Sequence, residues 1–259
     1  MSIPAERNIQ SISASQRNVI PAFGSVIAAI ARRTIDITVA SVVLILTAPI
    51  MLALAVIIRL DSPGPALFWQ TRMGRNLRSG GDRRRMSAHP RSSDPRRTER
   101  RRLDIAGKPF TFVKFRTMYV DARQRFPELY AYKYSTDDLR DLKFKLDPDP
   151  RLTRVGRYLR KTSLDELPNF WNVLTGAITL VGPRPEIPEM SPYYSSTDRR
   201  KFRVSPGVTG LAQIQGRGHL LFRDTVALDV QYVESRTFWR DMRILWATVV
   251  AVVKHDGAF

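Results

Sequence analysis

No cysteine occurs in the 259 residues. Disulfides, thiolate zinc sites and a cysteine nucleophile are therefore excluded. Histidine is scarce as well: three scattered residues do not make a His-rich metal site. Acids are outnumbered, with 24 Asp and Glu against 42 Lys and Arg, for a formal charge of +18. Such a balance points to a polyanionic partner: nucleic acid, anionic lipid or phosphorylated substrates. Internal repeats are also lacking. The chain does have enough apolar sequence, 43% of residues, to build a sizeable core.

The charge is uneven. Residues 75–102 hold eleven Arg against Asp82, Asp94 and Glu99, a net of +8. The stretch is rich in Ser, Gly and Pro and nearly devoid of apolar residues, so it reads as a disordered basic insertion, at about residues 75–107. It has no aromatic residue between its arginines. That argues against a single-stranded nucleic-acid binder, which needs stacking platforms. No nucleic-acid partner is expected. The insertion fits anionic headgroups instead.

Residues 37–58, ITVASVVLILTAPIMLALAVII, run for 22 residues without a charge. About 18 mark a transmembrane candidate. The run is too long, and too far from the start, for a signal peptide. Two readings stand. One is a plain span. The other is a helix that breaks at Ala48-Pro49 and returns to the same face, with Thr47 satisfying a freed backbone group. Arginines at both ends, Arg32 and Arg33 on one side and Arg59, Arg72 and Arg75 on the other, suit the second. Asp36 reads as a partner for an adjacent Arg. Residues 19–31 are apolar but too short to span, and read as an interfacial segment behind an N-terminal tail.

Beyond the membrane segment, a turn cluster at residues 61–65 precedes a short strand over 66–70, residues 108–118 alternate aromatic and polar like a strand, and residues 120–132 look helical. Arg154, Arg157 and Lys161 recur as a basic stripe on a helix, with Arg160 beside them. Next comes KTSLDELPNFWNVLTG, residues 161–176. Ser163-x-x-Glu166 fits a capping box, and Leu167, Phe170, Trp171 and Leu174 form an apolar stripe ending at Gly176. Capping accounts for Glu166 and leaves Asp165 unexplained. Neighbouring side chains on a helix diverge by about 100°, so this pair cannot act as facing carboxylates. They can take different tasks on one phosphate. Gly182-Pro183-Arg184-Pro185 clamps an Arg backbone, which suits bidentate phosphate contact. Residues 205–218 are a glycine-rich loop around Arg217. Asp229 lies on a mixed apolar and polar segment, and the C-terminal stretch reads as an interfacial helix.

Several motifs, in this order, resemble the monotopic phosphoglycosyl transferases, the bacterial sugar transferase family that attaches a sugar phosphate to a polyprenyl phosphate. They are Lys114-Phe115-Arg116-Thr117-Met118, Asp147-Pro148-Asp149-Pro150-Arg151 with LTRVGRYLRKTSLDELPNFWNVLTG, LVGPRP, PGVTGLAQIQGRG and LDVQYV. The resemblance runs from about Arg32 to the C-terminus, leaving out the basic insertion. It implies an α+β, mainly helical fold: a small cytosolic catalytic domain with short strands and interfacial amphipathic helices, on a re-entrant helix-break-helix with its break at Pro49. The expected division is a tail over 1–31, the re-entrant helix over 32–60 and the catalytic domain over 61–259. The implied substrates are a UDP-sugar and undecaprenyl phosphate, with Mg²⁺ required. Asp165 would attack the β-phosphate, UMP would leave, and a sugar-phosphoryl-aspartate would pass its sugar phosphate to the polyprenyl phosphate. Glu166 resembles the family's metal ligand. Arg160, Arg184 and Arg217 match basic positions near the phosphates, and Lys114, Arg116 and Asp229 match other positions of the active-site region. The location implied is the inner membrane, cytoplasmic face, among anionic inner-leaflet lipids, with a homodimer allowed by analogy.

Ala177, where the family usually has an acid, and Gly218, where it often has Asn, depart from the pattern. The alternatives are a non-catalytic membrane-surface scaffold of the same fold and a membrane-tethered nucleic-acid binder. Sugar and pathway are not legible.

Overall fold

The computed structural model describes residues 23–76, 107–135, 138–142, 146, 148–216 and 220–253. Arg217, the N-terminal tail and the body of the basic insertion lie outside the described residues. The described chain is mainly helical with short strands.

The longest element is α1, Phe23–Asp61. It absorbs both the apolar run and the described part of the segment expected to lie in the interface. By length and composition it can cross a membrane. The helix expected to break at Pro49 instead continues as helix on both sides of that residue. Proline there removes one N–H and crowds the carbonyl of Ile45, which bends a helix without having to end it. Thr47 does not serve the carbonyl that Pro49 frees, which belongs to Ile45 four residues back. Its hydroxyl donates to Val43 O at 2.7 Å.

Both ends of α1 grip the same folded body. Near the N-terminal end, Arg33 donates to Val173 O at 2.7 Å and Leu174 O at 2.8 Å, and Arg32 pairs with Asp241. Asp36 accepts from the Leu180 N–H at 2.9 Å, and the nearby Arg33, the kind of partner expected for it, acts on it electrostatically. Near the other end, Ile58 is buried against Phe115 and Leu159, with Met51, Leu54 and Ala55 on the same helical face.

Strands β1, Leu67–Met73, and β2, Pro109–Phe115, pair antiparallel with Phe68 opposite Lys114 and Arg72 opposite Phe110. Period-two alternation places Phe68, Gln70, Arg72 and Lys114 on one face. The helix expected over 120–132 is cut by Pro127 into α2, Ala122–Arg125, and a 3-10 turn, Pro127–Tyr130. A short α3 comes next, Asp138–Asp141.

Helix α4, Arg154–Thr162, starts at Thr153, whose side chain accepts from Gly156 N. Gly156 is required by proximity: a Cβ there would sit 1.9 Å from Thr117 O. The helix ends at Ser163, which is left-handed at φ 57°. Ser163 makes no capping bond through its side chain. The expected capping box is therefore not formed: Ser163 stands between the two helices and, being left-handed, accepts the first backbone bond of the next one from Glu166 N–H without a side-chain cap. The chain then enters a 3-10 helix, Leu164–Asn169, and continues into α5, Phe170–Thr175, closed by Gly176 at φ 82°. Trp171, expected in the apolar stripe, is 56% exposed.

Strand β3, Thr179–Val181, runs parallel to β4, Gly207–Thr209. The glycine-rich stretch expected as a loop supplies β4 and then α6, Leu211–Gly216. Helices α7, Phe222–Glu234, and α8, Phe238–Val253, complete the body. One core joins α1, α5, β3, α6, α7 and α8 through Ala40, Val173, Leu180, Leu211, Tyr232 and Ile244. A second lies between α1, β2 and α4. The 3-10 helix between α4 and α5 bridges them: Leu164 and Leu167 pack into the second core, and Phe170, just after it, into the first.

Candidate active site

The paired acids sit on that 3-10 helix. Asp165 is 6% exposed, while Glu166 is half-buried. The 3-10 geometry arises because Pro168 lies four residues after Leu164 and supplies no N–H for a regular helical bond. Lys114 comes from β2, with its Nζ 3.9 Å from Asp165 Oδ2. Arg160, in the last turn of α4, bonds Asp149 Oδ2 at 3.2 Å and still acts electrostatically on Asp165. Arg184 is exposed on a turn whose other residues are buried, and it lowers the pKa of both acids.

The electrostatics derive from burial. Desolvation pushes Asp165 up, against Lys114, Arg160 and Arg184, which pull it down. Glu166 is raised first by desolvation and then by the neighbouring Asp165. Lys114 is pushed down to about 8, chiefly by burial. Two carboxylates side by side, surrounded by cations, make a site for a phosphate-rich ligand and for a hard divalent cation. Among the described residues no cluster of three His, Cys, Asp or Glu could hold a metal.

The structure brings Asp165, Glu166, Lys114, Arg160 and Arg184 together. It does not bring Arg116 or Asp229 to them as ligand contacts. Arg116 is 4% exposed, and its guanidinium donates five bonds, to Pro65 O, Ser62 Oγ, Pro63 O, Ile58 O and Ser62 O. It ties down the C-terminal end of α1. Asp229 is wholly buried beside Lys201. Arg116 carries the charge expected at a phosphate site and Asp229 does not, and the side-chain direction of both puts them in the interior.

One residue of the site reads in the sequence only as a flanking charge. Arg72, on the Lys114 face of β1, donates from Nη1 to Pro185 O at 3.0 Å and from Nη2 to Gln70 Oε1 at 2.8 Å. It packs over the Phe112 ring and lowers the pKa of Glu166. Burial depresses Arg72 to about 10. Its alternation with Gln70 and Phe68 is the available signal. Nothing in the sequence alone says which face of a short strand meets the acids.

The chain matches the bacterial sugar transferase family over residues 27–79 and 88–255. It is 38% identical to the galactosyl transferase CpsE of Streptococcus agalactiae, over 88% of this chain and 43% of that protein. It is 35% identical to the UDP-glucose:undecaprenyl-phosphate glucose-1-phosphate transferase of Caulobacter vibrioides, over 88% of this chain and 72% of that one. The uncharacterized sugar transferase EpsL of Bacillus subtilis is 36% identical, over 88% of this chain and 90% of its own. The chain thus spans less than half the length of CpsE, and a similar 41% of the undecaprenyl-phosphate galactose phosphotransferase of Salmonella typhimurium. The chain belongs to the bacterial sugar transferase family.

Proposed function

We propose that the chain is a phosphoglycosyl transferase that moves a sugar 1-phosphate from a UDP-sugar to undecaprenyl phosphate. The observation that carries this reading is the Asp165–Glu166 pair, half to fully buried among Lys114, Arg160, Arg184 and Arg72. The relatives' names supply the acceptor and the class of donor.

An Asp165 carboxylate oxygen attacks the β-phosphorus of the donor. The bond from that phosphorus to the bridging oxygen breaks, and UMP leaves with the electron pair. A phosphate oxygen of undecaprenyl phosphate then attacks the same phosphorus and releases Asp165 unchanged. Splitting the transfer in two lets one small site serve a soluble donor and a lipid acceptor in turn. Lys114 holds Asp165 in its anionic, attacking form, and Arg160 and Arg184 offset charge on the phosphates. Glu166 would hold Mg²⁺, which when bound neutralises diphosphate charge.

The apolar surface of α1 supports a membrane setting. Ile45, Leu46 and Leu52 are each 70% or more exposed, and α1 is fastened at both ends to one body. Both ends of α1 then lie on the cytoplasmic face, beside anionic lipids, where UDP-sugars are found. A homodimer would place paired sites on that surface.

A panel of UDP-glucose, UDP-galactose and their N-acetylated counterparts, with undecaprenyl phosphate and Mg²⁺, tests the proposal by UMP release. At least one donor is expected to react, and Asp165→Asn is expected to abolish release. Intact-mass measurement after mixing with donor alone should find a sugar phosphate on the wild-type protein. UMP production that survives in the Asn variant would remove the nucleophile assignment.

A further inference from the structure

Beneath the turn that carries Arg184 lies a group of charges that the proposed chemistry does not use. Lys201 is 2% exposed, Asp229 0% and Glu186 6%. Lys201 Nζ stands 2.9 Å from Asp229 Oδ2 and 3.8 Å from Glu186 Oε2. Tyr194 donates its hydroxyl to Glu186 Oε2 at 2.6 Å. The ammonium also lies over the rings of Tyr194 and Phe202, at 5.3 and 5.7 Å. Lys201 is therefore the counter-charge that the two buried carboxylates share.

This cluster touches the turn on its inner side. The Asp229 carboxylate faces the backbone N–H of Arg184, and Glu186 is itself the last residue of the turn. Other ties hold the rest. Gly207 N–H donates to Pro183 O at 2.9 Å, Arg72 to Pro185 O at 3.0 Å, and Met73 N–H to Glu186 O at 2.7 Å. Only the Arg184 side chain is left exposed. Burying three ionised groups is a poor way to stabilise a fold, since an apolar set of the same volume does as well or better. It does fix backbone direction, and a guanidinium on a flexible stem aims only as well as its backbone is held.

We propose that Lys201 is a positioning residue for Arg184: through Asp229 and Glu186 it holds the residue 183–186 turn so that the Arg184 guanidinium faces the Asp165–Glu166 pair. The inference rests on the transferase reading for what Arg184 does, and on the geometry alone for how the turn is held.

Lys201→Met by itself strands two buried carboxylates and risks unfolding the chain. The informative variant is Lys201→Met with Asp229→Leu, which replaces the ion pair with apolar groups and leaves Glu186 its bonds from the Tyr194 hydroxyl and the Ile187 N–H. Two measurements are made on the full chain in detergent micelles. The first is amide hydrogen exchange over residues 182–187. It is expected to accelerate in the double variant while the rest of the body, and the melting temperature, stay close to wild type. The second is UMP release with whichever UDP-sugar the wild type turns over. A drop of about 10- to 100-fold in kcat/KM is expected. In an Arg184→Lys background, where the aim of the guanidinium no longer matters, the same double change is expected to cost less than about twofold.

Unchanged exchange at the turn overturns the proposal. So does a faster-exchanging turn with unchanged turnover, or an equal loss in both backgrounds, which is the mark of a merely structural role. If the double variant unfolds, the near-isosteric Asp229→Asn goes through the same cycle with the same deciding outcomes. A wild-type chain that releases no UMP sinks the transferase reading. The exchange measurement still decides whether Lys201 holds the turn.

Discussion

Asp165 and Lys114 control one another, and the consequence is a pH dependence of defined sign. Burial lowers Lys114 from 10.5 to about 8. Above that pH its ammonium loses the proton, Asp165 loses its nearest counter-charge, and the site loses a cation for the donor phosphates. The kcat/KM of the free enzyme is expected to fall above about pH 8 with the slope of one proton. In Lys114→Arg the charge persists and this alkaline limb should vanish, even if the maximum rate is lower. The effect on folding runs the other way. A base whose pKa is lowered in the fold binds fewer protons there than in the unfolded chain. Its contribution opposes folding below about pH 8 and is relieved as the pH rises toward 10.5. Arg116 gives a second residue-scale prediction. Arg116→Met removes all five donated bonds and leaves buried carbonyls at the end of α1 unpaired. The expected cost is on the order of 3 kcal/mol, read by chemical denaturation in micelles. Loss of activity should accompany unfolding rather than precede it.

At the scale of elements, the junction between α4 and α5 separates two accounts of Ser163. A serine that caps a helix is worth about 1 kcal/mol over alanine, and its change to glycine is mildly destabilising. A left-handed serine behaves differently, because that conformation itself costs about 1–2 kcal/mol for a residue with a Cβ. With φ at 57° and no side-chain bond, Ser163→Gly is expected to be neutral or to stabilise by up to about 1 kcal/mol in thermal melts. The true cap is Thr153, and Thr153→Ala should cost about 1 kcal/mol in the same melts. Several elements are legible in the sequence: α1 from its uncharged run, α4 from Arg154, Arg157 and Lys161, the first hairpin strand from the turn cluster before it and the second from alternation. The paired acids stand out because they lead an apolar stripe, and because Asp165 has no capping role to explain it. Ser163 misleads because a Ser-x-x-Glu spacing looks the same whether the serine opens one helix or closes another. Arg72 and Lys201 are hidden because a lone base on a short strand, and a lysine in a run of arginines, look like solvated surface. Only the pairing of β1 with β2, and of α7 with the residue 198–203 turn, turns them inward.

For the whole molecule, the question is how the apolar helix relates to the body. A helix that crosses the bilayer separates its ends, whereas α1 has contacts to one body near both of them. The absence of native cysteine makes this simple to test. Ile30→Cys and Leu60→Cys, at positions 61% and 82% exposed, each introduce a single thiol. In inverted vesicles both are expected to react with a membrane-impermeant maleimide, and in right-side-out vesicles neither. Labelling of one thiol from each side would show that α1 spans.

The five-bonded Arg116 has a mechanical consequence. It follows β2 directly, two residues after Lys114, so the last turn of α1 and the ammonium next to Asp165 are tied through one short stretch of chain. On the proposed membrane setting, the height of the reacting phosphorus above the acyl chains would follow from how deeply α1 sinks, and bilayer thickness would then help to select the lipid acceptor.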